Sequence, residues 1–196
     1  VDNRLLNSFN LKKKVYNQNI LFISRIEKEK GIDIAIDAFS EIEKSFPNSK
    51  LTICGDGSYL KNSINYSNNK KIRNITFLGD ISGKELIKIF SESSILLFPT
   101  YHGEGLPTVI LEAMAFGLII ITRPVGGIVD IFKEGEMGYL IDSLNYSDYS
   151  NVVNNLFLDI ENMKNIGHNN YYVAQKEFMA TSVVQKLENN FEELLN

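Results

Sequence analysis

Six short, unbroken apolar runs recur along the chain with longer helix-patterned segments between them, and this alternation constrains the fold more than any other feature. The runs fall at 20–24, 50–54, 75–78, 95–98, 118–122 and 138–141. Their apolar residues are continuous rather than alternating, the pattern of strands covered on both faces. Between them, Ile32, Ala35, Ile36, Phe39 and Ile42 repeat at helical spacing behind Gly31; Leu86, Ile89 and Phe90 do so before the fourth run; Val109, Ala113 and Phe116 do so before the fifth. Repeated strand–helix–strand units imply a parallel sheet with right-handed crossovers. From about Tyr146 no strand follows, and the tail reads as helices ending in Val183, Val184, Leu187, Phe191 and Leu194. The expectation is an α/β fold with a parallel sheet of about six strands flanked by helices. It forms a single domain over 1–196, with a linker-like start at 1–17, a core at 18–145 and C-terminal helices at 146–196.

A chain of 196 residues can fill one domain. Its net charge of -4 argues against broad nucleic-acid binding, which needs a basic face, but leaves room for a local phosphate site. The single cysteine, Cys54, sits inside an apolar run and reads as a buried strand residue; no disulfide can form within the chain, and the usage fits a reducing cytoplasm. No apolar run approaches the roughly 18 residues of a membrane-spanning helix. The start, Val1-Asp2-Asn3-Arg4, lacks the pattern of a signal peptide.

In open parallel sheets ligands bind in the loops at the carboxyl ends of the strands. After the first strand, Arg25 and Lys30 could supply cations for a diphosphate, or could belong to a solvated charged loop. After the second, Gly55-Asp56-Gly57 is either a tight turn with glycine at positive φ or a close backbone approach to a ligand; with Leu60 where a third glycine would stand, it is no dinucleotide fingerprint. After the third comes Gly79-Asp80-Ile81-Ser82-Gly83, whose backbone could meet a flat base. The most informative stretch runs from Pro99 to Gly117. Pro107 suits a first helical position, leaving the N–H groups of Thr108 and Val109 at a free helix terminus, an anion site by geometry and dipole. Glu112 lies one turn further on the same face among Ile110, Leu111, Ala113, Met114 and Ala115. A carboxylate there needs partners, either the two hydroxyls of a ribose or a cation such as Arg25. Glu104, between glycines, offers a second carboxylate to sugar hydroxyls. After the fifth strand, Gly126-Gly127 permits close backbone approach. His102, a lone loop histidine, reads as structural or solvated.

Taken together, these residues resemble the C-terminal domain of family 4 glycosyltransferases of GT-B fold. The resemblance runs from Leu21-Phe22-Ile23-Ser24-Arg25 through Lys30-Gly31, Gly55-Asp56-Gly57, Phe77-Leu78-Gly79, Glu104 to Glu112, and Gly126-Gly127, to Gly138-Tyr139-Leu140. It implies a Rossmann-like sheet that is one half of a GT-B fold. It also implies catalytic or donor-holding roles for Arg25 and Lys30 on the diphosphate and for Glu104 on the donor sugar. The amides around Leu106, Thr108 and Val109 join the phosphate site; Glu112 binds the ribose; the backbone near Ile81 meets the base; Gly105 and Gly55 are substrate-binding. Arg123 and Pro107 depart from the residues common in the family.

The implied activity is retaining transfer of a hexose-type sugar from a nucleotide diphosphate donor, UDP rather than GDP, to a polysaccharide or glycolipid acceptor. The family works without a metal-binding Asp-x-Asp motif, and none occurs here, so no cofactor or metal is expected. The resemblance further implies an absent N-terminal acceptor domain, no transfer by this chain alone, and a bacterial enzyme in the cytoplasm or peripheral at the inner face of the membrane. Two other readings stand beside it: a GT-B-like nucleotide-sugar 2-epimerase, and a non-catalytic scaffold. The Glu104–Glu112 frame favours the transferase.

Overall fold

The structure, a computed structural model, describes residues 1–6, 9–103 and 105–195, without the side chains of 193–195. Six strands, β1 (Asn19–Ile23), β2 (Lys50–Cys54), β3 (Ile75–Gly79), β4 (Ile95–Phe98), β5 (Ile119–Thr122) and β6 (Gly138–Leu140), form one sheet. All pairs are parallel and the order is β3-β2-β1-β4-β5-β6. The chain winds outward from β1 to β3, then returns to lay β4 on the other side of β1. The order therefore reverses between β1 and β4, where such sheets open a crevice. The expected strands are all present, with ends displaced by no more than one residue.

Burial explains the unbroken apolar runs. Every residue of β4 and β5 is buried, because helices cover both faces. Full burial of each Ile or Leu contributes about 1.5–3 kcal/mol. On one side lie α1 (Ile32–Ser45), which buries Ile32, Ala35, Ile36, Ala38, Phe39 and Ile42, and α6 (Tyr146–Leu158), which packs on it with Phe157 edge-on to Phe46 at 5.3 Å. α4 (Thr108–Ala115) buries Ile110, Ala113, Met114 and Ala115, and α7 (Ile160–Glu177) packs on it. The remaining helices are α2 (Leu60–Asn69), α3 (Gly83–Glu92), the single turn α5 (Ile128–Ile131) and α8 (Ala180–Leu195).

The start of the chain is docked on this body. Phe9 lies 5.0 Å from the Phe116 ring, and Lys14 Nζ donates to the carbonyls of Phe90, Ser91 and Ser93, closing the end of α3. Cys54 is buried, and burial pushes its thiol up to about 12, which leaves it unreactive at neutral pH. No helix among the described residues is long and apolar enough to cross a membrane.

The sequence pattern does not announce α2. Its buried positions are Ser63 and Ser67, so its inner face carries no apolar stripe.

Candidate functional site

The loops leaving β1, β2 and β3 are tied edge to edge. Ser24 N donates to Cys54 O at 3.2 Å, Ile26 N to Asp56 O at 2.9 Å, and Gly55 N to Gly79 O at 2.6 Å. Gly55 has φ +118, and a Cβ on it would fall 1.8 Å from Ser24 O. The glycine is therefore demanded by the turn and by the neighbouring loop. Between Ile23, Ser24 and Arg25 on one side and Gly55, Asp56, Asp80 and Ile81 on the other, these loops enclose a cleft of about 300 Å³.

The loop after β4 is tied to the first loop in turn. Tyr101 N and His102 N donate to Glu29 O at 2.9 and 3.2 Å, and Thr100 Oγ1 reaches the same carbonyl at 3.3 Å. His102 Nδ1 stands 3.5 Å from Glu29 Oε1, so this histidine belongs to the loop–loop contact. The loop after β5 closes the series. Gly127 N donates to Gly105 O at 2.8 Å, and a Cβ on Gly127 would meet that oxygen at 2.8 Å. The close approach permitted by Gly126-Gly127 is thus, at Gly127, one loop against another.

The cations differ in setting. Arg25 is exposed at the cleft, whereas Lys30 is only 8% exposed. Lys30 ends a 3-10 turn, Lys28–Lys30, whose middle residue is Glu29, the anchor of the β4 loop. The solvated-loop reading therefore fails for Lys30.

Pro107 lies one residue before its expected place. Its ψ of 118 is extended, and α4 begins at Thr108. The conclusion about the terminus is unchanged, since the first-turn amides of Thr108 and Val109 have no acceptor within the helix. Gly105, Leu106 and Thr108 are exposed and Val109 is half-buried.

Glu112 is half-buried, and burial raises its carboxyl above the usual carboxylate range. Among the described residues its carboxylate has neither a hydrogen bond nor an ion pair, so the alternative of a salt bridge to Arg25 is not what forms. Glu104 lies outside the described residues.

Of the residues singled out by sequence, Arg25, Gly55 and Ile81 share one cleft. Gly105 and Leu106 lie on the β4–α4 connection and Thr108, Val109 and Glu112 on α4 itself, and the turn bearing Lys30 is hydrogen-bonded to that connection. Sequence reasoning missed Asp56 and Asp80 as cleft walls; both stand in Gly-Asp pairs, a generic turn signal. Arg123 points its Nη2 at Asp142 Oδ1, 2.9 Å away, towards the β6 end of the sheet. Among the described residues no group of three or more His, Cys, Asp or Glu is placed to hold a metal ion.

Known proteins share this architecture. The pneumococcal O-GlcNAc transferase GtfA, solved with UDP and GlcNAc, superposes with a TM-score of 0.82 at 23% identity, over 96% of this chain and 38% of that one. The C-terminal domain of the group 1 glycosyl transferase LpcC from Francisella tularensis superposes at 0.76 and 23% identity, over 86% of this chain and 90% of that domain. In sequence, the capsular polysaccharide biosynthesis glycosyltransferase CapM of Staphylococcus aureus is 27% identical over 187 residues, 93% of this chain and 48% of CapM. The chain spans about half the length of the first curated relatives it matches. Residues 4–173 match the family described as glycosyl transferases group 1, and the chain belongs to that family.

Proposed function

We propose that this chain is the donor-binding part of a retaining glycosyltransferase that takes a hexose-type sugar from a nucleotide diphosphate to a polysaccharide or glycolipid. The observation that carries this is Glu112, a half-buried acid whose carboxylate has no hydrogen bond or ion pair among the described residues, one turn inside a helix whose connection to β4 is tied to the cationic turn at Glu29. A buried carboxylate without partners is costly, and a ribose presents two hydroxyls that would donate to it. Arg25 and Lys30, with the amides near Gly105, Leu106, Thr108 and Val109, take the diphosphate. The base lies by Gly55 and Ile81. Glu104 as holder of the donor sugar rests on the family resemblance alone.

Departure of the nucleotide leaves negative charge on the diphosphate. Arg25, Lys30 and the α4 amides stabilise it without a metal, each charge-assisted bond contributing about 1.5–3 kcal/mol. A uridine donor is favoured over guanosine because GtfA was solved with UDP. A polysaccharide acceptor is in keeping with the name of CapM. The rest of the protein supplies the acceptor side and excludes water, so this chain binds donor and does not transfer it. The whole enzyme works in the cytoplasm or peripherally at the inner face of the membrane.

Calorimetric titration with UDP and uridine tests the assignment. Arg25→Ala and Lys30→Met should each weaken UDP by about tenfold or more while changing uridine little. Glu112→Gln should weaken both ligands alike. Equal losses of UDP and uridine in the cation variants would contradict the diphosphate role.

A further inference from the structure

The opposite end of the sheet carries a second concavity, of about 380 Å³, between the last turns of α1 and the segment leading from α2 into β3. It lies beyond the amino end of β3, so roughly the length of a five-residue strand, about 16 Å, separates it from the donor cleft. Its charge is opposite to that of the chain. Lys44, Lys70, Lys71 and Arg73 line it with Glu43 as the sole acid, on a protein whose net charge is -4.

The four cations are not equivalent. Lys44 is paired with Glu41 at 2.7 Å and Lys70 with Asp37 at 2.8 Å. The side chains of Lys71 and Arg73 are exposed and have no hydrogen bond or ion pair with any described residue. Glu43 offsets part of this charge, and its carboxylate also accepts the backbone N–H of Arg73 at 3.1 Å and of Asn74 at 2.7 Å, which fixes the turn they stand on; against four cations it leaves the lining net positive. Lys71 has φ 57, the sole positive φ outside glycine among the described residues. A lysine in the left-handed region is strained, and glycine would relieve the strain. The chain keeps a cation there at a cost in stability.

We propose that this pocket binds a phosphate-bearing group, at a site separate from the sugar-donor cleft, with Arg73 and Lys71 as its principal contacts. The guanidinium fork of Arg73 suits bidentate contact with phosphate oxygens, and Lys71 adds a compact charge beside it. The same chemistry fits a soluble phosphoester and the phosphodiester headgroup of a lipid.

The two sources are told apart with two probes on the chain as it stands. Amide chemical shifts are followed by NMR during titration with inorganic phosphate. Co-sedimentation is measured with vesicles of phosphatidylglycerol in phosphatidylcholine, against phosphatidylcholine alone. The variants are Arg73→Gln, Lys71→Gly and the pair combined. Saturable shifts of the Arg73 and Asn74 amides, weakened about tenfold or more in the combined variant, would support a soluble phosphate ligand. Phosphatidylglycerol-dependent sedimentation lost in the same variant would support a bilayer headgroup. Lys71→Gly should melt no lower than the parent, so that lost binding is not lost folding. Neither signal, or signals that survive the combined variant, would overturn the proposal. A parallel loss of UDP affinity would overturn the separateness of the two sites.

Discussion

Helices α1 and α4 follow the two central strands and pack on the same sheet, yet they treat their acids in opposite ways. On α1, Asp33 and Asp37 sit one turn apart and face α2. The Tyr59 hydroxyl donates to Asp33 Oδ2 at 2.9 Å; the Tyr66 hydroxyl donates to Asp37 at 2.9 and 3.0 Å, and Lys70 Nζ stands 2.8 Å from Asp37 Oδ1. On α4, Glu112 has no partner among the described residues, although burial raises its carboxyl. The acids of α1 join two helices, and each has at least one oxygen satisfied from within, although Asp33 Oδ1 has no partner among the described residues. The acid of α4 has its desolvation offset only in part, by the more distant charge of the Val1 ammonium, the condition expected of a group held for a ligand.

The largest effect expected from this contrast is in the α1–α2 seam. Asp37→Ala removes the acceptor of Tyr66 and the counter-ion of Lys70, and should lower unfolding free energy by about 1–2 kcal/mol in urea titrations. Combined with Tyr66→Phe, the losses should fall short of additive by about 1 kcal/mol, the signature of a direct contact. Strict additivity would mean that the seam is not held by this pair. Asp33→Asn should cost less, about 0.5–1 kcal/mol, because one carboxylate oxygen has no partner among the described residues and the amide oxygen can still accept from Tyr59. A loss exceeding that of Asp37→Ala would reverse this ranking of the two acids.

The same seam explains what was legible in the sequence. The strands could be read because burial on both faces leaves continuous runs such as Ile95-Leu96-Leu97-Phe98. α1 and α4 could be read from their apolar spacing. α2 could not, since it meets α1 through Tyr59, Tyr66 and buried serines rather than through an apolar stripe. Its signal was Tyr59 and Tyr66 set at the spacing of two helical turns, opposite acids one turn apart. In the candidate site, the loops were legible from the glycines that end the strands, and Glu112 from its apolar neighbours. The burial of Lys30 was not, because it depends on Glu29 receiving the amides of a loop some seventy residues later. The acids Asp56 and Asp80 were hidden for a similar reason: which wall of a cleft a turn residue forms is decided by the crossing of loops, not by local pattern.

The smallest effect is the most direct test of the contrast. Burial raises the folded pKa of Glu112 above its unfolded value, so between those two values the folded state binds the extra proton. Stability therefore falls as pH rises through that window, and the full penalty is present above the folded value. Glu112→Gln removes it. The variant should be more stable than the parent at pH 7, by a fraction of a kcal/mol in view of the half-exposed setting, on the order of 0.5 kcal/mol. The difference should shrink towards zero as pH falls below the usual glutamate range. Urea titrations at several pH values, each with and without UDP, read both halves of the argument at once. Without ligand the glutamine form is the more stable; with UDP at saturating concentration the order inverts, because the glutamate, as the tighter binder, gains more from the ligand. If Glu112→Gln instead destabilises the ligand-free chain at neutral pH, then Glu112 is satisfied within the fold as Asp37 is, and the distinction between α1 and α4 collapses.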